Sequence, residues 1–185
     1  MKKLFFVLAF VGFVFALYVP AAMFAQAKLP AAEVSFSYTK QSGFSSNQFA
    51  VWIEDAQGRY VKTLYATYFT ASGGWKKREL SLVEWVKKSN LAGMSKAQVD
   101  AITGPTPKSG VLRYVWDGTD SAGRPVPEAE YRVLVEATLR SENCVIYTAV
   151  IKLGEKGRTV TAQPRYTGSS TDERGMIGPV TVTSL

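Results

Sequence analysis

Between Glu130 and Arg140, Tyr131, Val133, Val135, Ala137 and Leu139 recur at every second position. After the short turn Ser141-Glu-Asn143, the same spacing returns in Val145, Tyr147, Ala149, Ile151 and Leu153. A period of two puts each set on one face of an extended strand, because successive side chains of a strand point to opposite sides. Two such strands joined by a short turn predict an antiparallel hairpin with one shared apolar face. No helix can bury every second residue on one side, so this pattern confines the chain to a sheet-based core.

The same pattern continues outward. Glu33–Lys40 alternates through Val34, Phe36 and Tyr38, and Gln48–Glu54 through Phe49, Val51 and Ile53. Trp52 falls on the opposite face, so it either covers a second sheet or meets a partner. Asp55-Ala-Gln-Gly58 is a tight turn with glycine where positive φ is needed, and Arg59–Tyr68 returns as a third strand. Tyr60, Tyr65, Tyr68, Phe69 and Trp75 read as core and cross-strand packing in preference to a ligand groove. Val111–Asp117 is a further strand, followed by the turn-rich run Asp117–Gly123. Arg158–Tyr166 reads as an edge strand because of Pro164, and Met176–Ser184 either closes the sheet or frays.

The middle of the chain breaks the pattern. Gly73-Gly74 ends the third strand. Ser81-Leu-Val-Glu84 has capping-box spacing, with Leu82, Trp85 and Val86 on one helical face and Lys87 and Lys88 in the last turn. Ser95-Lys-Ala-Gln98 repeats that spacing and starts a second short helix running to about Ile102, where Pro105 and Pro107 forbid continuation. Seven or eight strands at hairpin spacing therefore predict a mainly all-β, antiparallel, immunoglobulin-like β-sandwich with a two-short-helix insertion over about 80–104.

The N-terminus has the layout of a signal peptide. Lys2 and Lys3 precede an apolar stretch over Leu4–Leu17, and Ala25-Gln-Ala27 supplies small residues at a cleavage site. Cleavage after Ala27 leaves one domain over 28–185 that is exported to the periplasm or secreted, and favours release over a retained membrane anchor. Two lysines leave with the leader, so the formal charge falls from +7 to +5. A moderately basic exported domain suits anionic surfaces, whereas nucleic acid is not an expected partner. The single cysteine, Cys144, lies in an apolar run and reads as a buried free thiol.

Histidine is absent. That removes Ser-His-Asp and Cys-His nucleophile pairs and every histidine-based metal site. No catalytic constellation replaces them. Asp117 and Asp120 read as turn residues, since the run lacks the length and the bidentate glutamate of a calcium loop. Glu54 and Asp55 do not make a convincing acid–base pair. Trp75, Lys76, Lys77 and Arg78, with Lys87 and Lys88, form a basic region suited to a partner or an anion, against the plainer reading of a solvated face.

Trp116-Asp-Gly-Thr-Asp-Ser-Ala-Gly-Arg-Pro-Val-Pro127, followed by Tyr131-Arg-Val-Leu-Val-Glu-Ala137, resembles the immunoglobulin-type module of the flagellar hook-capping protein. That resemblance implies a tryptophan in the core and a tyrosine opening the next strand. Ala129 departs from it, standing where those modules have glycine. A longer resemblance rests on Phe49-Ala-Val-Trp-Ile-Glu-Asp55, Tyr60-Val-Lys-Thr-Leu-Tyr65, Gly74-Trp-Lys-Lys-Arg78 and Asp100-Ala-Ile-Thr-Gly104. Together they resemble a family of predicted periplasmic proteins of unknown function, often encoded near flavin-transferase and PepSY-type membrane proteins.

Asp100-Ala-Ile-Thr103-Gly104-Pro-Thr106 is in turn similar to the motif on which extracytoplasmic flavin transferases attach FMN. The resemblance implies Asp100, Thr103, Gly104 and Thr106 as cofactor-binding residues, with Thr106 as acceptor; Pro105 departs from the motif's alanine. The plainer reading is a proline-stiffened connector. The expected function is a non-catalytic binding or assembly module of the bacterial envelope, without cofactor or metal. Its partner would be another envelope or membrane protein, with a membrane redox component and a flavin transferase among the candidates. The alternative is an electron-transfer protein carrying FMN on Thr106.

Overall fold

The two-residue alternation becomes two facing sheets. A computed structural model describes residues 31–43, 46–171 and 174–185; the expected leader over 1–27 lies outside them. Chain order is β1 (Ala32–Tyr38), β2 (Gln48–Asp55), β3 (Tyr60–Thr67), α1 (Tyr68–Ala71), α2 (Val83–Lys88), α3 (Lys96–Ile102), β4 (Thr103–Gly104), β5 (Gly110–Trp116), β6 (Glu130–Arg140), β7 (Asn143–Lys152), β8 (Thr159–Thr161), β9 (Gln163–Thr167) and β10 (Thr181–Ser184). One sheet has the order β5-β1-β10-β8, the other β4-β3-β2-β6-β7-β9. Pairing is antiparallel except where β4 lies parallel to β3, with Thr103 beside Ala66 and Gly104 beside Thr67.

The predicted hairpin is β6–β7, with Val133 opposite Ala149 and Val135 opposite Tyr147. Their shared face meets Val34, Phe36, Phe49, Val51, Ile53 and Trp116 between the sheets. Aligned packing of two inner faces is the sandwich solution to burying one side of each sheet. Trp116 is fully buried, packs at 4.9 Å on the Tyr131 ring and donates its indole N–H to Thr119 O.

A second apolar layer covers the outer face of the six-stranded sheet. Ala50, Trp52, Ala66, Leu134 and Ile146 lie beneath Ala71, Leu82, Trp85 and Leu91 of the helical insertion. Strand β2 is therefore buried on both sides, and Trp52 has no exposed surface. Of its two sequence readings, covering another layer is the one realised, but the layer is helical.

Two local expectations are corrected, one is met, and one left open between two outcomes is decided. Ser81 is not a cap: its hydroxyl pairs with Thr70 Oγ1 at 2.7 Å, and α2 starts from Leu82 with no side-chain cap of its own. Ser95 does form the predicted box, accepting from Gln98 N while its own N–H donates to Gln98 Oε1. The strand expected over Arg158–Tyr166 is split between sheets: β8 joins the smaller sheet and β9 the larger, with buried Ala162 at the crossing. Residues 181–184 do not fray, because β10 sits inside its sheet between β1 and β8.

Among the described residues, no helix is long and apolar enough to cross a membrane.

Candidate functional site

The insertion begins where β3 ends. Gly73, at φ 109°, and Gly74 turn the chain back across α1. Gly74 presses on Phe69 so closely that a Cβ there would lie 2.3 Å from the Phe69 carbonyl oxygen, which explains the second glycine of the pair. The turn presents Trp75 and Lys76. The segment Leu91–Met94 and α3, started by the Ser95 box, form the opposite wall. Between them lies a groove of about 320 Å³ lined by Tyr68, Trp75, Lys76, Leu91, Lys96 and Asp100, among others.

Its chemistry is mixed. Tyr68 is half exposed, and Trp75 and Leu91 add apolar wall. Lys76 Nζ stands 5.4 Å from the Trp75 ring centre, within cation–π range. Lys96 and Asp100, one helical turn apart, form an ion pair, and the hydrogen bond to Asp100 raises the Lys96 pKa. An apolar floor edged by cations and one carboxylate suits a protein or amphiphilic partner.

Residues from both sequence patches therefore meet: Trp75 and Lys76 from one, Asp100 from the other. The remaining members are placed elsewhere. Lys77 is exposed outside the groove, and Arg78 lies over the Phe69 ring at 4.9 Å and lines a separate cavity with Glu79, Leu80 and Ser81. Thr103 and Gly104 form β4. A Cβ on Gly104 would lie 2.8 Å from Tyr65 Cε2, so glycine permits the close approach. Tyr65 Oη donates to Pro105 O at 2.6 Å and its ring stacks on Phe49 and Tyr114. Thr106 follows, half-buried, in an irregular segment whose far end is tied by Lys40 N–H donating to Ser109 Oγ. Asp100 and Thr106 thus lie on different elements, with Asp100 committed to Lys96.

The turn aspartates behave as turn residues. Asp117 Oδ1 accepts from Lys62 Nζ at 2.9 Å and from the Thr119 hydroxyl at 2.6 Å. Desolvation pulls its pKa up, but these donors outweigh it and hold the carboxyl at about 2. Glu54 and Asp55 have separate partners: Asp55 binds Arg59, while buried Glu54 accepts from Trp52 Nε1 and lies 3.4 Å from both Lys88 and Arg132. Among the described residues, no group of three or more acidic or cysteine side chains is placed to hold a metal ion.

Sequence reasoning missed Glu136. It is 1% exposed, on the outer face of β6 between Leu134 and Thr138. Its Oε2 accepts the Trp85 N–H at 2.7 Å and its Oε1 the Glu84 N–H at 3.2 Å. This carboxylate caps α2 in place of Ser81. The available signal was an acid in the middle of an alternating strand, between Val135 and Ala137, with a tryptophan-bearing helix elsewhere in the chain to meet it.

A family model described as "Predicted periplasmic protein (DUF2271)" matches residues 31–169. No curated protein and no solved structure matches the chain.

Proposed function

Since the chain belongs to this family of predicted periplasmic proteins, we propose that it is a non-catalytic binding module of the bacterial envelope whose contact face is the helical insertion. The observation that carries this reading is the groove that joins Trp75, Lys76 and Asp100 around half-exposed Tyr68. Aromatic anchors with a charged rim are the usual anatomy of a protein contact. The two sheets hold this face rigidly, because the insertion is packed on β2, β3, β6 and β7. Its partner is another envelope protein, with a membrane redox component among the candidates.

A photo-crosslinker at Tyr68, introduced in the exported protein, tests this. Capture of one defined envelope protein, abolished by Trp75→Ala with Lys76→Glu and absent from a crosslinker at Val150 on exposed β7 surface, supports the reading. Equal capture from Tyr68 and Val150 overturns it.

One observation favours a second reading, in which Thr106 carries FMN. Gly104 is packed on Tyr65 and Pro105 is hydrogen-bonded to it, so the segment before Thr106 is held in one conformation. A fixed acceptor is what a modifying enzyme would need, and the attached cofactor would then do the chemistry. Export with a flavin transferase, followed by intact mass measurement, tests it: a gain of one FMN less water, lost in Thr106→Ala, supports it, and an unchanged mass returns the segment to a connector.

A further inference from the structure

The two sheets have four edge strands, and three of them are blunted. β4 has two residues and β8 three, and β9 carries Pro164, which has no N–H to offer. β5 differs: it runs for seven residues, Gly110–Trp116, without proline or lysine. Among the described residues only β1 pairs with it, in a continuous antiparallel register from Ala32 opposite Trp116 to Tyr38 opposite Gly110. Every second N–H and C=O of such a strand points away from its partner, so the outer side of β5 is a row of ladder groups ready for another strand.

The side chains along this edge are apolar with one cation among them. Val111 and Val115 are 63% and 52% exposed on the outer face of the smaller sheet, on either side of Arg113. Leu112 and Tyr114, half-buried, face the core. Arg113 gives Nη1 to Glu33 at 2.7 Å and is otherwise exposed. Lys108 precedes the strand, and the Lys40 N–H donates to Ser109 Oγ, which brings a second exposed lysine to the start of β5. Lys40, Lys108 and Arg113 against Glu33 leave the edge basic.

We propose that β5 is a docking edge for an acidic, extended peptide segment of a partner protein, which adds to the smaller sheet as a further antiparallel strand. Backbone hydrogen bonds to β5 supply the attachment. Side chains supply the selection: an aspartate or glutamate lies opposite Arg113, with β-branched residues two positions to either side, opposite Val111 and Val115. A second copy of this chain fits less well. The two-fold register that sets Val111 against Val115 of the other copy also sets Arg113 against Arg113, and like charges directly opposite weaken pairing. The same arginine thus admits an acidic strand and discourages self-association. The helical insertion packs on the other sheet, so this edge is a contact separate from the groove and does not depend on it.

Two synthetic peptides test the docking edge on the protein purified after export. Thr-Val-Thr-Glu-Thr-Val-Thr sets its glutamate opposite Arg113, and Thr-Val-Thr-Lys-Thr-Val-Thr reverses that charge. In nitrogen-15-labelled protein the glutamate peptide should shift the amides of residues 111–115 and slow their hydrogen exchange, while Val160 on β8 stays unchanged. It should bind about fivefold more tightly than the lysine peptide, the size of effect expected from one cross-strand charge pair. Arg113→Glu, at an exposed position, should reverse the preference. Comparing the two peptides on the unchanged protein needs no variant to fold. Shifts centred elsewhere, no saturable shift at β5, or equal affinity for the two peptides overturns the proposal. So does a dimer in sedimentation whose formation protects the β5 amides without peptide, because the edge then belongs to a second copy.

Discussion

Asp55 and Asp120 make the same hydrogen bonds in two separate turns, one joining β2 to β3 and one within the connection from β5 to β6. Asp55 accepts from Gln57 N, Arg59 N and Arg59 Nε; Asp120 accepts from Ala122 N, Arg124 N and Arg124 Nε. In both, the backbone of the aspartate pairs with that of the arginine four residues on, and the glycine between them lies at φ 75° or 76°. The sequences Asp55-Ala-Gln-Gly-Arg59 and Asp120-Ser-Ala-Gly-Arg124 are thus one structural word used twice. Gly58→Ala and Gly123→Ala should each cost about 1 kcal/mol, because alanine pays to enter the left-handed region. Urea unfolding should show near-equal losses for the two; a loss in only one would show that the turns are not equivalent.

The same pair makes a prediction about pH. At Asp55 desolvation pulls the carboxyl up but the hydrogen bonds from Arg59 and Gln57 together outweigh it, and at Asp120 the Arg124 backbone N–H leads against desolvation, so both carboxyls lie below their usual range. A lowered folded-state value contributes stability above the ordinary carboxyl range that is lost as pH falls. Asp55→Asn and Asp120→Asn should therefore each flatten the acid side of a melting-temperature profile while leaving most of the turn hydrogen bonds in place. A profile as steep as that of the unchanged protein would count against this account.

Trp85 and Thr63 link the insertion to the sandwich. Thr63→Val would leave a fully buried indole N–H without an acceptor and also remove the 2.9 Å contact with the Tyr60 hydroxyl. The expected loss is about 1–3 kcal/mol. Trp85→Ala should cost more, about 3–5 kcal/mol, because it also empties a buried volume. If Thr63→Val matches the unchanged protein in denaturant midpoint, the hydrogen bond is energetically idle.

The sandwich was legible because its signal is local and periodic. Tyr131 to Leu139 and Val145 to Leu153 each declare a face, and the turn between them fixes the pairing. The second layer was not, because Trp52 and Glu136 declare only that something covers them. What covers them is Trp85, separated by 33 and 51 positions and placed by a helix whose apparent cap, Ser81, is engaged elsewhere. The groove was half legible: aromatic and basic residues at 75–78 and the acid at 100 were singled out, but their meeting depends on the turn at Gly73-Gly74. The division of Arg158–Tyr166 between sheets was hidden because one alternating run serves both edges.

Gly104 and Tyr65 set the backbone ahead of Thr106. An alanine at 104 would put its Cβ 2.8 Å from Tyr65 Cε2, so either the ring or β4 must shift. The cost should be about 1–3 kcal/mol, as for other overpacked contacts. Tyr65→Phe keeps the ring and removes only the hydrogen bond to Pro105 O, costing about 1 kcal/mol. Calorimetry should rank the two in that order. If Thr106 accepts FMN, Gly104→Ala should also reduce loading at equal transferase exposure; full loading would show that this packing does not govern presentation of the acceptor.

Lys62 and Asp117 join the sheets across their edge. Lys62 projects from β3 of the larger sheet, and Asp117 follows β5 of the smaller, with 2.9 Å between Nζ and Oδ1. Lys62 also donates to Thr119 Oγ1, so one ammonium gathers the turn that holds the Trp116 indole through Thr119 O. Although desolvation opposes it, this network holds Asp117 at about 2, so its contribution is complete above the ordinary carboxyl range and disappears as pH falls from about 4 toward 2. Lys62→Met removes the cation and keeps much of the stem's packing. It should lower the melting temperature at pH 7 and narrow the difference between pH 7 and pH 2.5. Lys62→Met and Asp117→Asn together should lose less than the sum of their separate effects, because they break one shared interaction. Strict additivity in that double-mutant cycle would show that the ammonium and carboxylate act independently despite their contact.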